Sequence, residues 1–236
     1  IMDALDKPRV ANLKGKTNLV TETDHLSEKT IKSIIRGSFP DHSFLAEESG
    51  QDLSKSDYLW IIDPLDGTTN FVHGYPSFAV SIALYYKNEP QVAVIIEMPN
   101  TKLYSAIKGE GVWCEGQPIS CSESDSLEKS LLVTGFGYEH GELWEENMRI
   151  YKHFTDTTQG VRRLGAAAVD LCHVASGKVD GFWEFDLQPW DTAAGILIAQ
   201  EAGCLVTQMN GLDYSCPLYT SPSPRDLSTS RMPPSA

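Results

Sequence analysis

Two hydrophobic rhythms alternate along the chain. In His25–Pro40, HLSEKTIKSIIRGSFP, the residues Leu26, Ile31, Ile34, Ile35 and Phe39 recur at roughly helical spacing, and Pro40 closes the run. YLWII reads as a buried strand, and FAVSIALYY followed by QVAVIIEM reads as a strand pair turning at KNEP. LYSAIKGEGVWCEGQPI continues the strands through glycine-marked turns, and LWEENMRIYKHFT has an amphipathic helical period. Two small-residue helices follow. Gly165–Gly177, GAAAVDLCHVASG, closes on a glycine just past its end. Trp190–Gly203, WDTAAGILIAQEAG, is expected to have Asp191 or Thr192 as its N-cap. These periods establish mixed α and β structure.

The rhythm stops near residue 216. PLYTSPSPRDLSTSRMPPSA is rich in proline and serine and has no apolar period, so 217–236 is expected to be a disordered or non-native-looking tail. Residues 1–216 then form a single domain. The opening IMDALDKPRV is unlike a natural start, so a leader is expected to be missing or removed.

Composition narrows the classes. The apolar share of 41% and charged share of 22% belong to a globular chain, and no apolar run reaches the length of a membrane span. A net charge of −13 argues against nucleic-acid or anionic-membrane partners. Five cysteines without CxxC spacing suit free thiols in a reducing compartment, and six histidines form no HxH or HExxH pattern.

The chemistry concentrates in Trp60–Phe71, WIIDPLDGTTNF, where an apolar strand runs into Asp63 and Asp66. Carboxylates crowded at a strand's carboxyl end repel unless a hard divalent cation joins them, and open sheets place ligands at such ends. Pro64 stiffens the turn, Gly67 permits close approach of backbone, and Thr68 and Thr69 supply hydroxyls and amides suited to phosphate. Further acids stand in FLAEESG (Glu47, Glu48), PWDTAAG (Asp191) and LVTETD (Asp24). Each has an ordinary alternative: a solvated turn, a surface glutamate pair, a helix N-cap. Together they offer oxygens for two or three Mg²⁺ ions.

DPLDGTTNF, AEES and WDTAAGILIAQEAG resemble the three signature blocks of the inositol monophosphatase family, Mg²⁺-dependent and lithium-sensitive phosphatases. GYPSFAV, GFGYEH and GVRRLGAAAVDLCHVASG further resemble its plant-type and bacterial branch. The resemblance implies an α+β fold, a layered αβαβα sandwich truncated at both ends here, and a homodimer when full length. It implies that Glu47, Asp63 and the carbonyl of Leu65 hold one Mg²⁺, that Asp63, Asp66 and Asp191 hold a second, and that Glu47 faces a third. Catalysis would fall to Glu47 and Thr68, which orient an attacking water, with Asp24 supporting Thr68. Gly67 and Thr68 would receive the phosphate, and Gly165, Ala167 and Glu184 would meet the alcohol. Lys14 or Lys16 would stand near the third metal. For Glu184 the alternative is an outward carboxylate on a strand, and for Arg162 and Arg163 it is an ordinary surface position.

The implied reaction is hydrolysis of a small polyol or sugar phosphate, with myo-inositol monophosphate first. Histidinol phosphate, L-galactose 1-phosphate, fructose 1,6-bisphosphate and nucleotide 3′-phosphates are rivals on the same scaffold. A non-catalytic regulatory homologue would require a lost metal ligand, and all four acids stand. The expected location is cytoplasm or plastid stroma.

Overall fold

A computed structural model describes residues 1–7, 9–13, 19–214 and 227–230. Lys14, Lys16, Cys216 and the tail apart from 227–230 lie outside the described residues. A short helix α1 (Met2–Leu5) precedes a hairpin of β1 (Ala11–Leu13) and β2 (Leu19–Thr21), which leads into α2 (Glu22–Ser38). The main sheet takes β3 (Ser43–Ala46), β4 (Gly50–Asp52), β5 (Tyr58–Asp66), β6 (Phe78–Tyr86), β7 (Glu89–Met98), β8 (Lys102–Ile107), β9 (Gly111–Cys114) and β10 (Gln117–Pro118). Helix α3 (Thr68–His73) links β5 to β6, and the eight strands run in the order β10-β9-β8-β7-β6-β5-β3-β4.

The second sheet combines β11 (Leu131–Thr134), β12 (Gly160–Arg162), β13 (Gly181–Glu184), β14 (Leu205–Gln208) and β15 (Leu227–Ser230), ordered β12-β11-β13-β15-β14. Helix α4 (Glu142–Thr157) joins β11 to β12, α5 (Ala167–Ala175) joins β12 to β13, and α6 (Pro189–Glu201) joins β13 to β14. β15 comes from the stretch in which the sequence pattern predicts no element, and it runs antiparallel to both β13 and β14. LSTS lacks the apolar alternation that marks a strand, so pairing positions that the pattern leaves silent.

Side-chain alternation assigns the layers. Leu45, Leu59 and Ile61 pack with α5 and α6, whereas Phe44, Ala46 and Ile62 pack with Ile31 and Ile35 of α2. Neighbours along a strand face opposite sides, so α2 covers one face of the main sheet and α5 with α6 covers the other. In the second sheet Val133 and Phe182 join the central core, while Leu132, Trp183 and Phe185 meet Ile150, Tyr151 and Phe154 of α4. The order through the molecule is α2, main sheet, α5 and α6, second sheet, α4: an αβαβα sandwich. Held between two sheets, α6 is buried on every side from Thr192 to Ala199, as an all-round apolar helix must be.

Two local readings change. In α2 the buried side chains include Asp24, Glu28 and Lys32, while Leu26, Ile34 and the C-cap residue Phe39 are exposed. A polar stripe can face inward because its members are partnered, as described below. Asp191 and Thr192 are not N-caps. Gln188 caps α6, Pro189 takes the first helical position, and Asp191 stands at N3, accepting from the Gln188 amide at 2.7 Å.

Candidate active site

The strand register builds the site. β3 and β5 are parallel, with Ala46 opposite Ile62, and the Glu47 amide continues the ladder to the Ile62 carbonyl at 3.2 Å. Glu47 therefore stands beside Asp63 at the carboxyl ends of two adjacent parallel strands. On the other side of β5, Asp63 pairs with Ser81 but Asp66 with Ala79, three residues against two. That extra residue is a bulge, and Pro64, which cannot donate to a ladder, lies inside it. Residues three apart on a regular strand face opposite sides; the bulge returns Asp66 to the side of Asp63.

The turn that follows is held from several directions. Leu65 donates its amide to Asp63 Oδ1 at 3.0 Å, and Ser27 donates to the Pro64 carbonyl at 2.9 Å. Gly67 has φ +83°, and a Cβ there would meet the Ser77 carbonyl at 3.0 Å and Ala166 Cβ at 3.1 Å, so both conformation and space require glycine. The Thr68 hydroxyl is 2.9 Å from Asp24 Oδ1 and 3.1 Å from the Leu65 carbonyl. Asp24 itself closes a capping box on Thr21 at the start of α2, so it is an N3 residue with a second task.

α5 brings the second half of the molecule to this turn. Ala168 donates its amide to Asp66 Oδ2 at 2.7 Å, and the amides of Ala167 and Gly67 also bond Asp66. These two amides, expected to face substrate, thus serve a carboxylate. Asn70 donates to the carbonyls of Ser77 (2.6 Å) and Leu164 (2.7 Å), stapling α3 to the Gly165 segment. Asp191 at the start of α6 and Glu184 at the end of β13 complete the acidic lining.

Electrostatics confirms the crowding. Burial, then Glu47, Asp66 and Asp191, pushes the Asp63 carboxyl well above the usual range. Asp66 is pushed up to about 7, chiefly by burial, against the opposing pull of the α5 and Gly67 amides. Asp191 is raised by burial and then by Asp66 and Glu47; Glu184 is raised by burial and then by Asp191 and Asp66. Carboxylates that hold one another's protons on are short of a counter-charge.

An all-oxygen donor set of this kind fits Mg²⁺. Among the described residues no three His, Cys, Asp or Glu side chains form a ready cage around one point.

Several supporting residues carry no motif. Glu28 accepts from the Glu48 amide at 2.9 Å, and Lys32 donates to Ser49 at 2.8 Å, so the buried stripe of α2 fixes the turn that presents Glu47. The i, i+4, i+8 spacing of Asp24, Glu28 and Lys32 is the one signal of it in the sequence. Tyr138, about half exposed, bonds the Thr69 side chain.

A family model described as "Inositol monophosphatase family" matches residues 1–232. The chain belongs to the inositol monophosphatase family. It is 52% identical over 222 residues to "Phosphatase IMPL1, chloroplastic" of Arabidopsis thaliana, covering 91% of this chain and 60% of that protein's length. The solved inositol monophosphatase of Anabaena (Nostoc) sp. superposes with a TM-score of 0.82 at 43% identity, covering 89% of this chain and 81% of that one. An IMPase/NADP phosphatase complexed with Mg²⁺ and phosphate superposes with a TM-score of 0.81 at 25% identity, covering 94% and 82%. None of the four described cysteines is in a disulfide, and among the described residues no helix is long and apolar enough to cross a membrane.

Proposed function

We propose that this chain carries the catalytic unit of a Mg²⁺-dependent phosphomonoesterase whose substrate is myo-inositol monophosphate. The observation that carries the reading is the bulge at Pro64, which sets Asp63 and Asp66 on one side of β5 with Glu47 beside them. Family membership and the Mg²⁺ and phosphate complex of the related structure support it.

Glu47, Asp63 and the Leu65 carbonyl would hold one ion; Asp63, Asp66 and Asp191 would hold a second, with Glu47 facing a third. Bound there, Mg²⁺ supplies an acidified water and charge compensation for phosphate and leaving oxygen. The chain's own groups do the positioning. Thr68, whose hydroxyl is anchored by Asp24, would orient an attacking water together with Glu47. Gly67 and Thr68 border the phosphate. Gly165, Ala167 and Glu184 face the alcohol, Glu184 accepting from its hydroxyls.

Phosphate release from inositol 1-phosphate, histidinol phosphate and fructose 1,6-bisphosphate, each with Mg²⁺, with added Li⁺ and with a chelator, tests the reading. Release from the inositol ester that needs Mg²⁺ and falls with Li⁺ is expected; release undiminished by the chelator contradicts it. A homodimer belongs to the same reading and predicts twice the chain mass in light scattering. So does a reducing compartment, plastid stroma or cytoplasm, which the unbridged cysteines and the chloroplastic relative support.

A further inference from the structure

The second sheet repeats the device of the first. β11 and β13 are parallel, with Thr134 opposite Trp183, so the next pair, Gly135 and Glu184, lies at adjacent carboxyl ends. A Cβ built on Gly135 would fall 2.1 Å from Glu184 Oε1 and 2.2 Å from Oε2. The carboxylate lies in the space that any other residue's side chain would take. Gly135 is outside the left-handed region, so what this glycine supplies is room for the carboxylate rather than a conformation.

Nor can Gly135 retreat. Its carbonyl accepts from Asn147 Nδ2 at 2.6 Å, and the Oδ1 of the same amide accepts from the Trp183 indole at 2.6 Å. Thr134 donates its hydroxyl to the Trp183 carbonyl at 2.6 Å. Asn147 and Thr134 are fully buried, so the three bonds tie the end of β11 to β13 in a place closed to water. Glu184 is only 9% exposed.

We infer that Gly135, pinned by Asn147, is a positioning residue: it sets the carboxylate of Glu184 and thereby the enzyme's grip on the hydroxyls of the alcohol. This rests on the substrate role proposed above for Glu184. A methyl group at 135 would push the carboxylate aside while leaving the acids around Asp63 in place. Misplacement by about an ångström is enough to weaken a directed hydrogen bond severely.

The test is a double-mutant cycle of Gly135→Ala and Glu184→Ala in the full chain, assayed on inositol 1-phosphate and on phenyl phosphate, whose alcohol has no second hydroxyl. Gly135→Ala is expected to raise KM for the inositol ester about tenfold with kcat little changed, and to leave phenyl phosphate nearly unaffected. In the Glu184→Ala background the same change should add nothing. Equal effects in both backgrounds, or equal losses on both esters, overturn the inference. If the unmodified chain turns over neither ester, the substrate reading fails instead. The cycle read by melting temperature then decides the steric relation: a drop seen with Glu184 in place that vanishes in the Glu184→Ala background supports it, and equal drops refute it.

Discussion

Glu47 and Asp63 stand side by side at the ends of parallel neighbours, one residue beyond the paired Ala46 and Ile62. Neither backbone position can leave without breaking the ladder that carries the core, because Glu47's amide is itself a rung of it. Their repulsion is thus built into the sheet. Replacing Asp63 by Asn separates charge from volume. Turnover should fall at least about a hundredfold, the loss typical of removing a preorganised electrostatic group. Without Mg²⁺ the variant should melt no lower than the parent, since a buried carboxyl crowded by other acids is gone. With saturating Mg²⁺ the order should reverse, and thermal melts with and without the ion read both halves.

The raised carboxyls give a pH prediction of definite sign. Asp66 has an ordinary value of 3.8 and stands at about 7 in the folded chain. Between those values the native state keeps a proton that the unfolded chain has released. The stability it contributes is complete below the lower value and is lost as pH rises through the upper one. Asp63, Asp191 and Glu184 shift in the same direction. The chelated protein should therefore melt progressively lower from pH 5 to pH 8, and saturating Mg²⁺ should flatten that slope. A melting temperature that climbs over this interval without metal would count against the assignment.

Thr68→Val removes one hydroxyl at nearly constant volume. It takes away the contacts to Asp24 and the Leu65 carbonyl. A loss of order a hundredfold in kcat is expected, with a stability change of about 1 kcal/mol for one buried hydrogen bond. Steady-state kinetics beside a denaturant titration separates the two. A kcat within twofold of the parent would remove Thr68 from the reaction.

Gly195→Ala tests the central layer rather than the chemistry. A Cβ there would stand 2.3 Å from Leu171 Cδ1 and 2.8 Å from Leu171 Cβ, and the second atom cannot swing away. α5 and α6 approach closely only because this position is empty. Overpacking should cost about 1–3 kcal/mol in chemical denaturation. An unchanged midpoint would mean that the two helices slide apart freely.

The sequence made the strands legible wherever side-chain alternation or a long apolar run met a glycine turn: Phe78–Tyr86 is a strand with the limits its pattern predicts. The acids were legible as motif blocks because DPLDG joins residue types that rarely crowd without a ligand. Their geometry was not. That Asp63 and Asp66 share a side depends on a bulge, which is a mismatch between two strands and cannot be read from one. The inward face of α2 was hidden for a related reason: Glu28 and Lys32 look solvated until the Glu48 amide and Ser49 hydroxyl that partner them are in place. Gly135 was silent because its neighbour in space, Glu184, lies far along the chain.

The most direct test is calorimetric titration of Mg²⁺ into the chain and into Asp63→Asn at neutral pH, in two buffers of different ionisation enthalpy. The account predicts binding by the parent with net proton release, since ligands that are part-protonated must give up their protons, and weaker binding with less release by the variant. Equal binding by both proteins, or binding that releases no protons, would contradict it.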